Sequence, residues 1–163
     1  MRSALIKVFS RQPLKNMNQV DFYLISNRVN DARYKLASRL CNKLQRQQQS
    51  SLVVTDNVQA TTELDRVMWS FSDTSFLAHD LFNNVQAGAL THIGDHHSVS
   101  PAVLAQKHRV LVNLSSGIPA FHSQFSRIAE IVDADDNSKA AARIRYKRYQ
   151  ENGYTLKMHT IEL

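Results

Sequence analysis

The stretch from Val20 to Ile25, VDFYLI, is a compact run of apolar, aromatic and β-branched residues. Such a run is typical of a strand that lies inside a sheet and is covered on both faces. Residues 31–48 follow with the spacing of a helix. Their apolar residues recur at every fourth position: Ala32, Leu36, Leu40 and Leu44. The opening of this region therefore predicts a buried strand followed by an amphipathic helix.

The same alternation continues along the chain. Residues 52–55 predict a second strand, and Asp56 or Asn57 can cap a helix that runs to about Trp69. The core side of that helix is expected to hold Val58, Leu64, Val67 and Met68. Further strands are predicted in SFLAH (75–79), ALTHIG (89–94), 109–114, 128–132 and 154–161, with a helix over 137–152 that ends at Gly153. This order predicts an α/β fold, a three-layer α/β/α sandwich around a mostly parallel sheet.

Length and charge indicate one domain that is only mildly basic. The chain has 163 residues, which suits a single core, and a net charge of +6. Residues 1–16 carry Arg2, Lys7, Arg11, Lys15 and no acid, so they contribute +4 and leave +2 for the remainder. We interpret residues 1–16 as an N-terminal extension, either disordered or upstream of an alternative start at Met17, although their composition also resembles a transit peptide. Residues 17–163 are expected to form the domain, without the broad basic face of a duplex-DNA binder.

Several functional classes are disfavoured by what the sequence holds. The single cysteine, Cys41, is expected to be a buried thiol and fits a reducing, cytoplasmic compartment. No apolar run approaches the ~20 residues of a membrane span. The four glycines form no phosphate-binding motif, which argues against a nucleotide enzyme. The segment THIGDHH, with His92, Asp95, His96 and His97, is interpreted as a polar loop, so neither a metal nor a cofactor nor a catalytic residue is assigned.

The segment KAAARIRYKRYQ (139–150) is rich in cations and contains no acid. On a helix, Lys139, Arg143, Tyr146 and Lys147 fall along one stripe, while Ala141 and Ile144 lie on another side and are expected to pack on the sheet. Three interpretations are open for this stripe: a solvated helix face, a surface that binds carboxylates and an apolar side chain, or a site for single-stranded nucleic acid.

A second cluster, MWSFSDTSF (68–76), contains Trp69, Phe71 and Phe76. Aromatic side chains at the end of a helix either cap the core or form a hydrophobic patch for a protein partner, because aromatic residues are common interface anchors. The sequence leaves both possibilities open.

Four segments, taken in order, resemble the chi subunit family of DNA polymerase III. They are VDFYLI (20–25), LDRVMWSFSDTSFLAH (64–79), HRVLVNLS (108–115) and ARIRYKRYQENGY (142–154). The last segment is the most specific, and the resemblance extends over about residues 18–160.

The resemblance implies a non-catalytic subunit associated with the clamp loader. It would bridge a small partner, psi, to the acidic C-terminal tail of single-stranded DNA-binding protein, with mainly indirect contact to DNA. By position, the tail would bind Lys139, Arg143, Tyr146 and Lys147, and Trp69 and Phe76 would form the patch for psi or a helicase. Two alternatives remain: direct binding of single-stranded DNA, or a metal- or nucleotide-dependent enzyme on the same sheet.

Overall fold

The structure, a computed structural model, describes residues 18–84 and 88–163. The extension predicted at residues 1–16 lies outside these ranges. The described strands are β1 (Gln19–Ile25), β2 (Ser51–Thr55), β3 (His79–Leu81), β4 (Thr91–Asp95), β5 (Val110–Asn113), β6 (Arg127–Val132) and β7 (Thr155–Ile161). The α-helices are α1 (Ala32–Arg46), α2 (Val58–Ser70), α3 (Pro101–Ala105) and α4 (Asp136–Glu151), and short 3-10 turns cover Phe82–Asn84 and His122–Gln124.

The strands form one sheet in the order β3-β4-β2-β5-β6-β1-β7, and every described pair is parallel. The VDFYLI run is β1, which lies between β6 and β7. Its side chains alternate between the two faces, so Phe22 belongs to one core cluster and Tyr23 to the other. The expected buried strand is therefore confirmed.

Two hydrophobic layers cover the sheet. On one face, α1 contributes Leu36, Leu40 and Leu44 to a core that also contains Cys41. Burial raises the pKa of this thiol to about 12, as expected for an inert buried cysteine. On the other face, α3 and α4 supply Val103 and Ala142. Helices on both faces of a parallel sheet make the three-layer α/β/α sandwich that was predicted.

The helix ends follow from local hydrogen bonds. The Asn57 side chain accepts from the N–H of Ala60 and caps α2, whereas Asp56 accepts from Ser116. Asp135 caps α4 by accepting from the N–H of Ser138. Gly153 follows α4 with a φ of 81°, a left-handed conformation that glycine adopts without a steric cost. The described α4 thus begins and ends one residue earlier than the predicted 137–152.

Two local predictions are wrong. Val58 is exposed, because six residues place it about 240° around the helix from Leu64, away from the buried side of α2. The third strand begins at His79 and not within 75–78, and the preceding residues are irregular. None of the helices in the described part of the chain is long and apolar enough to span a membrane.

Candidate functional site

Helix α4 packs on the sheet through a side that the sequence did not reveal. Its buried residues are Ala142, Arg145 and Tyr149. Ile144, which was expected to pack on the sheet, is 61% exposed, because the spacing of the buried residues turns it toward solvent. The basic Arg145 therefore faces the sheet and the apolar Ile144 faces solvent, so the prediction for Ile144 is wrong.

The inward position of Arg145 is explained by a buried carboxylate on β6. Glu130 is fully buried, and its Oε2 accepts from Arg145 Nε at 3.0 Å. Its Oε1 accepts from the Tyr149 hydroxyl and from Asn113 Nδ2, each at 2.8 Å. Burial raises the pKa of Glu130, while the Arg145 charge and these hydrogen bonds oppose that rise. The network fixes α4 on the sheet, because each buried polar group has a partner.

A pocket of about 300 Å³ lies where one side of α4 meets the sheet. Helix residues Lys139, Ala142, Arg143 and Tyr146 form one wall, and strand residues Phe22, Leu24 and Met158 form the other. The Tyr146 ring lies 5.4 Å from the Phe22 ring, centroid to centroid. Lys139 and Arg143 are exposed at the opening. The pocket therefore combines an apolar interior with two cations at its rim.

The structure brings together three of the four residues that were predicted for this site. Lys139, Arg143 and Tyr146 line the pocket, whereas Lys147 is exposed on the same helix and does not line it. Their role in binding stays a prediction. Chemically, the arrangement suits an apolar side chain held close to a carboxylate, because the ring and methionine walls can cover the one while the cations attract the other.

Sequence reasoning missed the strand side of the pocket. Phe22, Leu24 and Met158 come from β1 and β7, which are far apart in the chain and adjacent in the sheet. Phe22 and Leu24 were assigned to the core as part of a buried run. The alternation of Leu156 and Met158 on a terminal strand is the only sequence signal that points to this face.

The aromatic cluster at the end of α2 is divided between the core and the surface. Phe71 packs against the core. Trp69 and Phe76 are 57% and 68% exposed, and their ring centroids lie 5.7 Å apart. Trp69 also lies 4.7 Å from the ring of His79 in β3, whose Nε2 is 2.9 Å from Asp65 Oδ1. The exposed pair thus forms an apolar surface at the β3 edge of the sheet.

The histidine-rich segment was predicted to be a polar loop, and this is wrong for Thr91–Asp95, which form the buried strand β4. His92 is buried, and its Nδ1 lies 2.7 Å from Nε2 of His108. Asp95 accepts from the Ser98 hydroxyl and the N–H of His97, which forms a turn. Across residues 18–84 and 88–163, no group of three or more metal-binding side chains occurs. Desolvation, with a smaller effect from His92, lowers the pKa of His108 to about 4.

Comparisons with known proteins agree with this architecture. A family model described as "DNA polymerase III chi subunit, HolC" matches residues 17–157. A protein named DNA polymerase III subunit chi from Pseudomonas aeruginosa is 35% identical over 148 residues, which are 89% of this chain and 98% of that protein. Proteins of the same name from Haemophilus influenzae and Escherichia coli K12 are 25% and 24% identical, over 86% and 88% of this chain and 95% and 99% of theirs.

Among solved structures, "The crystal structure of T4 UvsW" matches with a TM-score of 0.65 and 9% identity. The match covers 88% of this chain and 41% of that one. At this identity the likeness concerns the fold alone. The family model and the relatives, by contrast, extend over nearly the whole chain, and on this evidence the chain belongs to the DNA polymerase III chi subunit family.

Proposed function

We propose that this chain is a non-catalytic accessory subunit of the DNA polymerase III holoenzyme, associated with the clamp loader. In this function it bridges the psi subunit to the acidic C-terminal tail of single-stranded DNA-binding protein. The observation that supports the proposal best is the pocket between α4 and the sheet, with Lys139 and Arg143 at its opening and the Tyr146 ring in its wall.

The pocket chemistry suits a peptide that ends in acidic residues followed by Pro-Phe. The terminal phenylalanine ring can enter the apolar interior, where complete burial contributes roughly 1.5–3 kcal/mol. Arg143 and Lys139 are placed to bind the terminal carboxylate or the neighbouring acids, and Lys147 adds positive charge on the same helix. Because these cations are exposed, salt is expected to weaken the electrostatic contribution to binding. The contribution from burial of the ring should remain.

A second surface supports the bridging part of the proposal. The exposed pair Trp69 and Phe76 lies beside β3, and the pocket lies beside β7. These strands are at opposite ends of the described sheet, and six strand spacings separate them by roughly 29 Å. Two partners can therefore bind without occupying the same surface. We assign Trp69 and Phe76 to psi, or to a helicase that uses the same patch.

The test is a titration of the full chain with a fluorescent peptide that carries the acidic Pro-Phe terminus. Arg143→Ala is expected to weaken binding about tenfold, since a charge-assisted contact is worth about 1.5 kcal/mol or more. Arg148→Ala is the matched control, because Arg148 is also exposed on α4 and lies outside the pocket. The control is expected to bind within about twofold of the original chain. Equal binding by both variants and the original chain would remove the proposed site.

The same variants distinguish the tail from single-stranded DNA. An oligonucleotide would be attracted by positive charge along the whole helix, so Arg143→Ala and Arg148→Ala are expected to weaken its binding equally. Tight binding of the oligonucleotide in the absence of any partner protein would favour direct DNA binding over the adaptor function.

A further inference from the structure

The outer edge of β7 is open in the part of the chain that the structure describes. β7 is the last strand of the sheet and pairs with β1. The N–H of Thr155 donates to the carbonyl of Asn18 at 2.8 Å, and the carbonyl of Ile161 accepts from the N–H of Ser26 at 2.9 Å. Backbone groups alternate in direction along a strand, so the N–H and C=O groups of Leu156, Met158 and Thr160 point away from β1.

The open edge is continuous with the pocket. Met158 contributes its side chain to the pocket wall and is 57% exposed. Its own backbone N–H and C=O are among those that point outward from β7. When the last side chain of a peptide occupies the pocket, the preceding residues of the peptide lie next to backbone groups of β7. These groups have no strand partner among the described residues.

Charge near this edge favours an acidic occupant. β7 carries Lys157 and no acid, and the exposed Lys157 points to the face of the sheet opposite Met158, because side chains alternate along a strand. Across the pocket, α4 presents Lys139 and Arg143. The exposed acids of α4 are Asp136 and Glu151, at its two ends, and Glu162 follows the end of β7. Cations therefore flank the middle of this edge on both faces of the sheet, Lys139 and Arg143 on the pocket face and Lys157 on the other, which suits an extended acidic segment.

We infer that an acidic peptide seated in the pocket continues as an additional strand on the outer edge of β7. This inference rests on the proposed function and states how the tail binds. An added strand gains affinity from main-chain hydrogen bonds, and only the side chains that enter a pocket contribute to specificity. The acidic residues upstream of the aromatic terminus then contribute to binding through their charge and their extended backbone. The terminal side chain determines which peptides bind.

The test is amide hydrogen exchange of the full chain, followed by NMR, with and without a saturating synthetic peptide that ends in acidic residues, Pro and Phe. The amides of Leu156, Met158 and Thr160 are expected to exchange at least about tenfold more slowly when the peptide is bound. The amides of Lys157, His159 and Ile161 point toward β1 and serve as internal controls with unchanged rates. If the peptide shifts the signals of Tyr146 and Met158 while the three outward amides keep their rates, strand addition is overturned and the proposed pocket stands. Absence of any peptide binding overturns both.

A second measurement uses the peptide backbone. Single N-methylation removes one donor at a time upstream of the proline. Strand addition predicts a loss of affinity of about tenfold at every second position and near-normal binding at the positions between. Equal tolerance of methylation at all positions overturns the inference, because a peptide held only by its side chains has no such period of two.

Discussion

Nε of Arg145 lies 3.0 Å from Oε2 of Glu130, and both side chains are buried. This ion pair joins α4, which carries one wall of the pocket, to β6 in the sheet. Arg145 Nη1 also donates to the carbonyl of Ser116 at 3.0 Å, so the same side chain contacts the loop after β5. The outward residues Lys139 and Arg143 are therefore held in place by polar contacts on the opposite side of their helix.

Arg145→Ala is expected to destabilise the fold by about 3 kcal/mol at neutral pH, because it leaves the Glu130 carboxylate buried without a cation. Burial already raises the pKa of Glu130, and loss of the arginine raises it further. A group whose pKa is higher in the folded state stabilises the fold below its unfolded pKa and less so as pH rises. The deficit of the variant should therefore shrink as the pH falls toward the unfolded pKa of about 4.5. Urea unfolding at several pH values measures it.

The matched control for that experiment is Tyr149→Phe, which removes one hydrogen bond to Glu130 and keeps the ring and the ion pair. Its expected cost is about 1 kcal/mol. A stability of Arg145→Ala equal to that of the original chain would contradict the structural role of the ion pair.

Tyr146 is expected to contribute to tail binding through its ring. Tyr146→Phe keeps the wall of the pocket and the contact with Phe22, so the affinity for the acidic Pro-Phe peptide should change by less than about twofold. Tyr146→Ala opens the wall and should weaken binding about tenfold, which is about 1.4 kcal/mol. Fluorescence anisotropy measures both variants. Equal affinities of the alanine and phenylalanine variants would exclude the ring as a binding element.

Trp69→Ala and Phe76→Ala are expected to leave stability nearly unchanged, within about 1 kcal/mol, because both side chains are more than half exposed. Each should reduce co-purification with psi. Phe71→Ala serves as the contrast, since Phe71 packs against the core and its loss should lower the melting temperature. Retention of psi by the Trp69→Ala, Phe76→Ala double variant would remove the patch assignment.

Acid is expected to destabilise the fold through the His92–His108 pair. The pKa of His108 is lowered to about 4 by burial and by its neighbour, and burial also lowers that of His92, with Asp80 opposing. A histidine with a lowered folded pKa stabilises the fold above its unfolded pKa, near 6.5, and loses this contribution as pH falls toward 4. His108→Asn should reduce the drop in unfolding free energy between pH 7 and pH 5 by about 1–2 kcal/mol. An identical drop in both proteins would contradict the assignment.

The periodic spacing of apolar residues predicts much of this fold, because that spacing follows which side chains are buried. Leu36, Leu40 and Leu44 define the inner face of α1, and VDFYLI defines the buried strand β1. The cationic stripe of α4 was also predictable, since three or four residues separate its members, and Lys139, Arg143 and Tyr146 do meet at one pocket.

The rest depends on pairings between distant segments. Isoleucine is usually buried and arginine usually exposed, so the exposure of Ile144 and the burial of Arg145 were not predicted. The cause is Glu130, an acid within the apolar run of β6. A carboxylate at such a position needs a buried cation, and this requirement was the available signal. The pocket itself needs the register of β1 with β7, which no local pattern contains.

The distance between the Trp69–Phe76 pair and the pocket has a thermodynamic consequence. Because a close-packed parallel sheet separates the two surfaces, saturating one with its partner should leave the dissociation constant at the other unaltered, and the coupling free energy should be near zero. Cooperation between the two partners would then arise from tethering, which raises the local concentration of one near the other, and would vary with the length of the flexible segments on the partners.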